Sequence, residues 1–275
     1  MKSDIASICV ILGVPRSGTT LLRVLLDSHP EIVSCPETPW ILGSYGECNS
    51  VRSLIMDLCG NPLGPSMTLF DGETKAIKDA GRNLVLDILH QFRCSSKKRI
   101  VVIKTPDDIR YIDELSWYFP DAHYIHIVRD GRDVAVSTLR VAERLYSLFE
   151  HGDVTIGNAL GRWTEWNETI EQFLCGLPER RKLECKYEEL VSNSVDVLAR
   201  VCGFLGVRNS ATMHQYWNYA HTYPGFEAGS EDVKSRREIE NGRVGVWRNC
   251  GLPWNELIDV STRSALLKYG YMEDW

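Results

Sequence analysis

Five consecutive apolar residues, Ile8-Cys9-Val10-Ile11-Leu12, run directly into Gly13-Val14-Pro15-Arg16-Ser17-Gly18-Thr19-Thr20. A short apolar run that ends at a glycine reads as a buried strand. Residues 19–28 carry leucines on one helical face and stop before Pro30. Strand, glycine-framed loop and helix together cradle phosphate: glycine lets backbone N–H groups turn inward, and the helix N-terminus adds a partial positive charge. The glycine spacing matches a Walker A loop, but Thr19 stands where that loop carries its lysine, which counts against ATP or GTP hydrolysis. Arg16 instead puts a cation inside the loop, suited to an anion with fewer charges to neutralise.

The rest of the chain repeats the alternation. Residues 99–103, 122–128 and 183–186 read as further short strands. Helical patterns cover 79–92, 108–118, a stretch starting near Asp133, 159–174 and 254–269, and 187–205 reads as a turn followed by a helix. Residues 31–75 read as irregular, punctuated by Pro36, Pro39, Pro62 and Pro65, and 208–242 as mixed and polar. Short strands alternating with helices predict an α/β fold of the P-loop kind, with a central parallel sheet flanked by helices on both faces. Without repeats, low-complexity tracts or a clear linker, the expectation is one domain over 1–275.

Charge and cysteine usage narrow the partners. A net charge of −6 argues against a broad grip on nucleic acid, yet leaves room for a local positive pocket. The basic runs at 97–99 and 234–237 read as solvated surface. Nine cysteines without a CxxC pair or a Cys/His metal spacing suggest reduced thiols and a cytoplasmic protein. The apolar run over 5–12 is too short to span a bilayer, so no membrane association is expected. A homodimer is compatible with the sequence, which leaves the oligomeric state open.

Gly13-Val14-Pro15-Arg16-Ser17-Gly18-Thr19-Thr20-Leu21-Leu22-Arg23 resembles the 5'-phosphosulfate loop of sulfotransferases that use 3'-phosphoadenosine-5'-phosphosulfate (PAPS). Residues 26–31 (Leu-Asp-Ser-His-Pro-Glu) and Cys35-Pro36-Glu37-Thr38 make the chain most similar to the tyrosylprotein sulfotransferase branch and its bacterial relatives. The segment from Val128 through Arg129-Asp130-Gly131-Arg132-Asp133 to Ser137 resembles the family's 3'-phosphate site, which the resemblance places on Arg129 and Ser137. Tyr187, opening Tyr-Glu-Glu-Leu, resembles the tyrosine near the adenine, and Arg243-Val244-Gly245-Val246-Trp247-Arg248 resembles the C-terminal loop that closes over the cofactor. The resemblance thus implies cofactor binding by Arg16, Ser17, Gly18, Thr19, Thr20, Arg129, Ser137, Tyr187, Arg243, Trp247 and Arg248, with PAP as product and no metal.

Sulfuryl transfer needs an aligned acceptor hydroxyl, a destination for its proton and neutralisation of charge on the bridging oxygen. Lys104 closes the second predicted strand and looks like the family's catalytic lysine; Arg16 shares its charge-stabilising role. Cytosolic sulfotransferases carry a histidine after Lys-Thr, but Pro106 stands there and takes no proton. Glu37 matches the catalytic glutamate of the tyrosylprotein branch and is the expected base, with His29 and His126 as fallbacks. The expected acceptor is a hydroxyl of unknown identity, on a phenol, sugar or natural-product alcohol. Two rival readings stand beside this one: a P-loop kinase or NTPase, favoured by a Walker B-like run from Ile125 to Asp130, and a non-catalytic PAP-binding module.

Overall fold

The computed structural model describes residues 8–44, 49–59, 74–144, 154–219, 239 and 241–272. A five-stranded sheet lies at the centre: β1 (Ile8–Leu12), β2 (Ile32–Ser34), β3 (Ile100–Ile103), β4 (His123–Val128) and β5 (Lys182–Lys186). The order across it is β2-β3-β1-β4-β5, and every pairing is parallel. β1 pairs through Val10 with Ile103 on one side and Tyr124 on the other.

Both faces of the sheet are covered, which is why its strands read as continuous apolar runs. Side chains alternate between two cores. Ile8, Val10 and Leu12 of β1, Val101 and Ile103 of β3, and Tyr124 and Val128 of β4 enter one core. Cys9, Ile11, Ile100, Val102, Ile125 and Ile127 enter the other. The second core is closed by α1 (Thr19–Asp27), α8 (Tyr187–Ser192) and α9 (Ser194–Leu205). The first is closed by α4 (Thr74–Ser95), α5 (Ile112–Tyr118), α6 (Gly131–Arg144), α7 (Ile156–Cys175) and α11 (Val260–Lys268).

Several elements depart from the sequence expectation. β2, α2 (Pro39–Leu42) and α3 (Val51–Leu58) occupy ground read as irregular. β2 is a three-residue edge strand, too short for any period to register. The helix expected over 108–118 is a 3₁₀ segment, Pro106–Tyr111, followed by α5. The helix expected near Asp133 begins at Gly131, because Asp130 takes the cap: its carbonyl accepts from Val134 N–H at 3.0 Å and its carboxylate from Arg132 N–H at 2.9 Å. The stretch 187–205, expected as a turn followed by a helix, is two helices, α8 and α9, that meet at Asn193. Asp259 splits the predicted 254–269 helix into α10 (Trp254–Leu257) and α11, capping α11 through Thr262 N–H at 2.7 Å. Residues 5–7, Pro62, Pro65 and the basic run at 234–237 lie outside the described residues.

His126 is buried within β4, where Leu12 and Glu184 flank it in the register. Its Nε2 bonds Asn167 Oδ1 at 3.0 Å, and Asn167 Nδ2 donates to Trp163 O at 2.7 Å. Burial pushes its pKa down to about 4, with the Asn167 hydrogen bond opposing. Between pH 6.5 and 4 the unfolded chain binds a proton that native His126 refuses, so this residue's contribution to stability falls as pH drops through that window. His126→Gln is expected to flatten the loss of urea-unfolding free energy between pH 7 and 5, measured against the wild-type chain.

Candidate active site

In an all-parallel sheet every strand delivers its carboxyl end to one edge, and open α/β sheets bind ligands there. Each strand here places one candidate residue at that edge. Gly13 follows β1, Glu37 lies just past β2, Lys104 follows β3, Arg129 follows β4 and Tyr187 follows β5.

The β1–α1 loop is shaped by close approach. A Cβ on Gly13 would lie 2.7 Å from the Ile127 carbonyl oxygen of β4. Arg16 adopts φ 75°, unusual for a residue with a side chain, and Gly18 adopts φ 95° at the N-cap of α1. Such turns aim successive backbone N–H groups inward. The first turn of α1 holds no acidic residue, so its positive end is not neutralised from within. Ser17 is fully buried, and its Oγ has no hydrogen-bond partner among the described residues. An unsatisfied buried hydroxyl is what an anionic ligand would satisfy.

Lys104 and Glu37 meet. The Lys104 ammonium donates to Glu37 Oε1 and, at 3.2 Å, to Thr20 Oγ1 of the phosphate loop. Their side chains are 1% and 8% exposed. The straps that carry them are laced together beside the pair. Thr38 N–H donates to Thr105 Oγ1 at 2.8 Å, their hydroxyls lie 3.1 Å apart, and Ser44 Oγ donates to Asp108 Oδ1. Burial, reinforced by the charges of Asp107 and Glu37, pushes Asp108 up to about 7, while hydrogen bonds from Ser44 and Thr105 hold it back. This lacing lies outside the sequence expectations, because the partners of Thr38 and Asp108 stand 67 and 64 positions away.

The second anchor closes on the first. Arg16 Nε donates to Ser137 Oγ at 3.2 Å across 121 positions of sequence. Arg129 donates from Nη1 to Arg16 O at 3.0 Å and from Nη2 to Arg243 O, with its guanidinium 4.5 Å from the centre of the Tyr187 ring. Arg129 Nε is buried without a partner among the described residues. Tyr187 also lies against the phosphate loop: a Cβ on Gly18 would fall 2.4 Å from its Cδ2.

The segment after residue 241 completes the enclosure. Trp247 lies between two guanidinium groups, Arg132 at 3.6 Å and Arg248 at 5.0 Å from its ring centre. Trp254 packs edge-on to it at 5.8 Å and donates to its carbonyl at 3.1 Å. Arg16, Ser17, Gly18, Thr19, Thr20, Arg129, Ser137, Tyr187, Arg243, Trp247 and Arg248 therefore belong to one connected neighbourhood, with Lys104 and Glu37 joined to it through Thr20.

Both fallback histidines are held by structural bonds. His29 accepts from Glu31 N–H at Nδ1 (3.0 Å) and donates from Nε2 to Arg208 O (2.8 Å); His126 is tied to Asn167 as described. The 97–99 run also ties elements together: Lys98 donates to His29 O at 2.9 Å and Arg99 pairs with Glu31 at 2.7 Å.

The glycine-framed loop after β1 and the lysine directly after β3 meet at one sheet edge. The chain belongs to the sulfotransferase family, whose family model matches residues 9–210. It is similar to Protein-tyrosine sulfotransferase 2 of Gallus gallus, 30% identical over 209 residues that cover 73% of this chain and 51% of that protein. The Sulfotransferase Domain from the Curacin Biosynthetic Pathway superposes with a TM-score of 0.72 at 22% identity, covering 98% of this chain and 99% of that one. Mouse sulfotransferase SULT7A1 complexed with PAP superposes with a TM-score of 0.52 at 16% identity, covering 97% and 89%. These two likenesses establish the fold. The matched stretch spans about half the length of the Gallus gallus and Danio rerio protein-tyrosine sulfotransferases, 51% and 54%.

Gly18→Ala should destabilise the fold by about 1–3 kcal/mol, since it forces a side chain into φ 95° and against the Tyr187 ring. Thermal melting with and without the substitution measures the drop.

Proposed function

We propose that this chain transfers the sulfuryl group of PAPS to a hydroxyl of an acceptor molecule and releases PAP. The observation that carries this reading is the buried Lys104–Glu37 pair, bonded to the phosphate loop through Thr20. It supplies a cation and a proton acceptor side by side, next to an anion cradle. That the cation comes from β3 while Thr19 replaces the Walker lysine disfavours a nucleotide hydrolase.

The residues present fit PAPS. Ser17 Oγ and Arg129 Nε are buried donors without partners among the described residues, one in each anchor, and the Arg16–Ser137 bond brings the anchors together. The phosphate loop and α1 N-terminus would hold the 5'-phosphosulfate, Arg129 and Ser137 the 3'-phosphate, and Tyr187 the adenine. Arg243, Trp247 and Arg248 would close over them. PAPS, when bound, supplies an electrophilic sulfur joined through oxygen to a phosphate leaving group.

The chain's own residues then divide the work. Glu37 accepts the proton of the acceptor hydroxyl as its oxygen bonds to sulfur. Lys104, with Arg16, neutralises the charge that gathers on the bridging oxygen as the sulfur–oxygen bond breaks. Their burial strengthens both interactions, because little water screens them. The acceptor is a hydroxyl on a phenol, sugar or natural-product alcohol; the match of Glu37 to the tyrosylprotein branch favours the phenol.

Incubation with radiolabelled PAPS and an acceptor panel tests the activity. Lys104→Ala and Glu37→Gln are each expected to cut kcat by ~10²-fold or more while PAP still binds. Wild-type turnover in either variant removes that residue from the chemistry, and magnesium-dependent ATP hydrolysis in place of sulfated product overturns the proposal. Arg129→Ala should chiefly weaken PAP binding, read by calorimetry; unchanged affinity rejects its 3'-phosphate role.

A further inference from the structure

Asp133 stands in the first turn of α6, where an acidic side chain ordinarily serves its own helix. Here those local duties are already taken. Asp130 caps the helix by accepting from Arg132 N–H at 2.9 Å. The Asp130 N–H, which a capping box would satisfy from the third helical position, goes instead to Glu188 Oε1 at 3.0 Å. Asp133 turns away from its helix and reaches a segment more than a hundred residues downstream. Its Oδ2 accepts from Gly245 N–H at 2.7 Å and its Oδ1 from Trp247 N–H at 3.0 Å. Its side chain is fully buried, and Arg129 Nη2 stands 3.8 Å from Oδ2.

The geometry suits a latch. Gly245 adopts φ 70°, which turns the chain so that two nearby amides face one carboxylate. Hydrogen bonds to an ionised acceptor are about twice as strong as neutral ones. Neighbouring contacts register the same segment: Arg132 stacks on Trp247 and Arg129 donates to Arg243 O, so three residues of one helical entry grip it. We infer that Asp133 is a positioning residue that latches the 241–250 segment onto the entry of α6, making affinity for PAPS depend on a carboxylate bonded to backbone amides. This rests on the PAPS reading above, in which that segment supplies Arg243, Trp247 and Arg248 to the cofactor.

Hydrogen exchange on the intact chain, followed by mass spectrometry, tests the latch without any ligand. Asp133→Asn keeps the shape but loses one of the two acceptors. Peptides covering 241–250 should exchange at least ~10-fold faster in this variant. Asp259→Asn, which alters a backbone-bonded carboxylate at the start of α11, should leave them at the wild-type rate. The KM for PAPS and the Kd for PAP should rise about tenfold in Asp133→Asn, with a smaller change in kcat. Unchanged exchange over 241–250 overturns the latch. Faster exchange with wild-type PAP affinity overturns its link to the cofactor. A wild-type chain that binds no PAP overturns the PAPS reading and that link together, while exchange still decides the latch itself. Should Asp133→Ala fail to fold, Asp133→Asn carries the test.

Discussion

The guanidinium of Arg129 joins three segments that lie far apart in the chain. It leaves the end of β4 and donates to the carbonyls of Arg16 and Arg243 while lying on the Tyr187 ring. Burying a cation is costly unless its hydrogen-bonding capacity is met, so a guanidinium here demands acceptors from whatever surrounds it. Two backbone carbonyls and an aromatic face answer most of that demand. The phosphate loop, the α8 entry and the 241–250 segment are thereby held against one side chain. Trp163 fixes the origin of that side chain, donating to the Arg129 carbonyl at 2.9 Å while its ring closes over Gly131.

The same logic governs the Lys104–Glu37 pair. Neither ion would be stable alone at such burial, and each is compensated by the other. Removing one partner leaves the other uncompensated, so the pair is held by both straps or not at all. The lacing of Thr38 to Thr105 and Ser44 to Asp108 keeps those straps in register, beside β2 and β3. Any charge that develops beside a buried ion pair is felt in a poorly screened setting.

Much of this arrangement was legible in the sequence where a residue's own chemistry restricts its neighbours. Gly13 and Gly18 announced the loop because only glycine tolerates those approaches, and the apolar runs of β1, β3 and β4 announced strands covered on both faces. What escaped was short or relational. β2 has too few residues for a period. Asp108 and Asp133 looked like ordinary helix-start acids. Their partners lie 64 and more than a hundred positions away, and no local pattern encodes such pairings.

The sequence by itself determined a strand, a glycine-framed loop and a helix in succession, and an alternating α/β order, because backbone sterics and hydrophobic period act over a few residues. Only the tertiary structure decided that Lys104 pairs with Glu37, that Arg16 reaches Ser137, and that the histidines at 29 and 126 are occupied as structural pins. Those outcomes depend on strand order. With β1 central between β3 and β4, the parallel sheet brings loops that are distant in the chain to one edge, and burial there forces each charged group to find its complement.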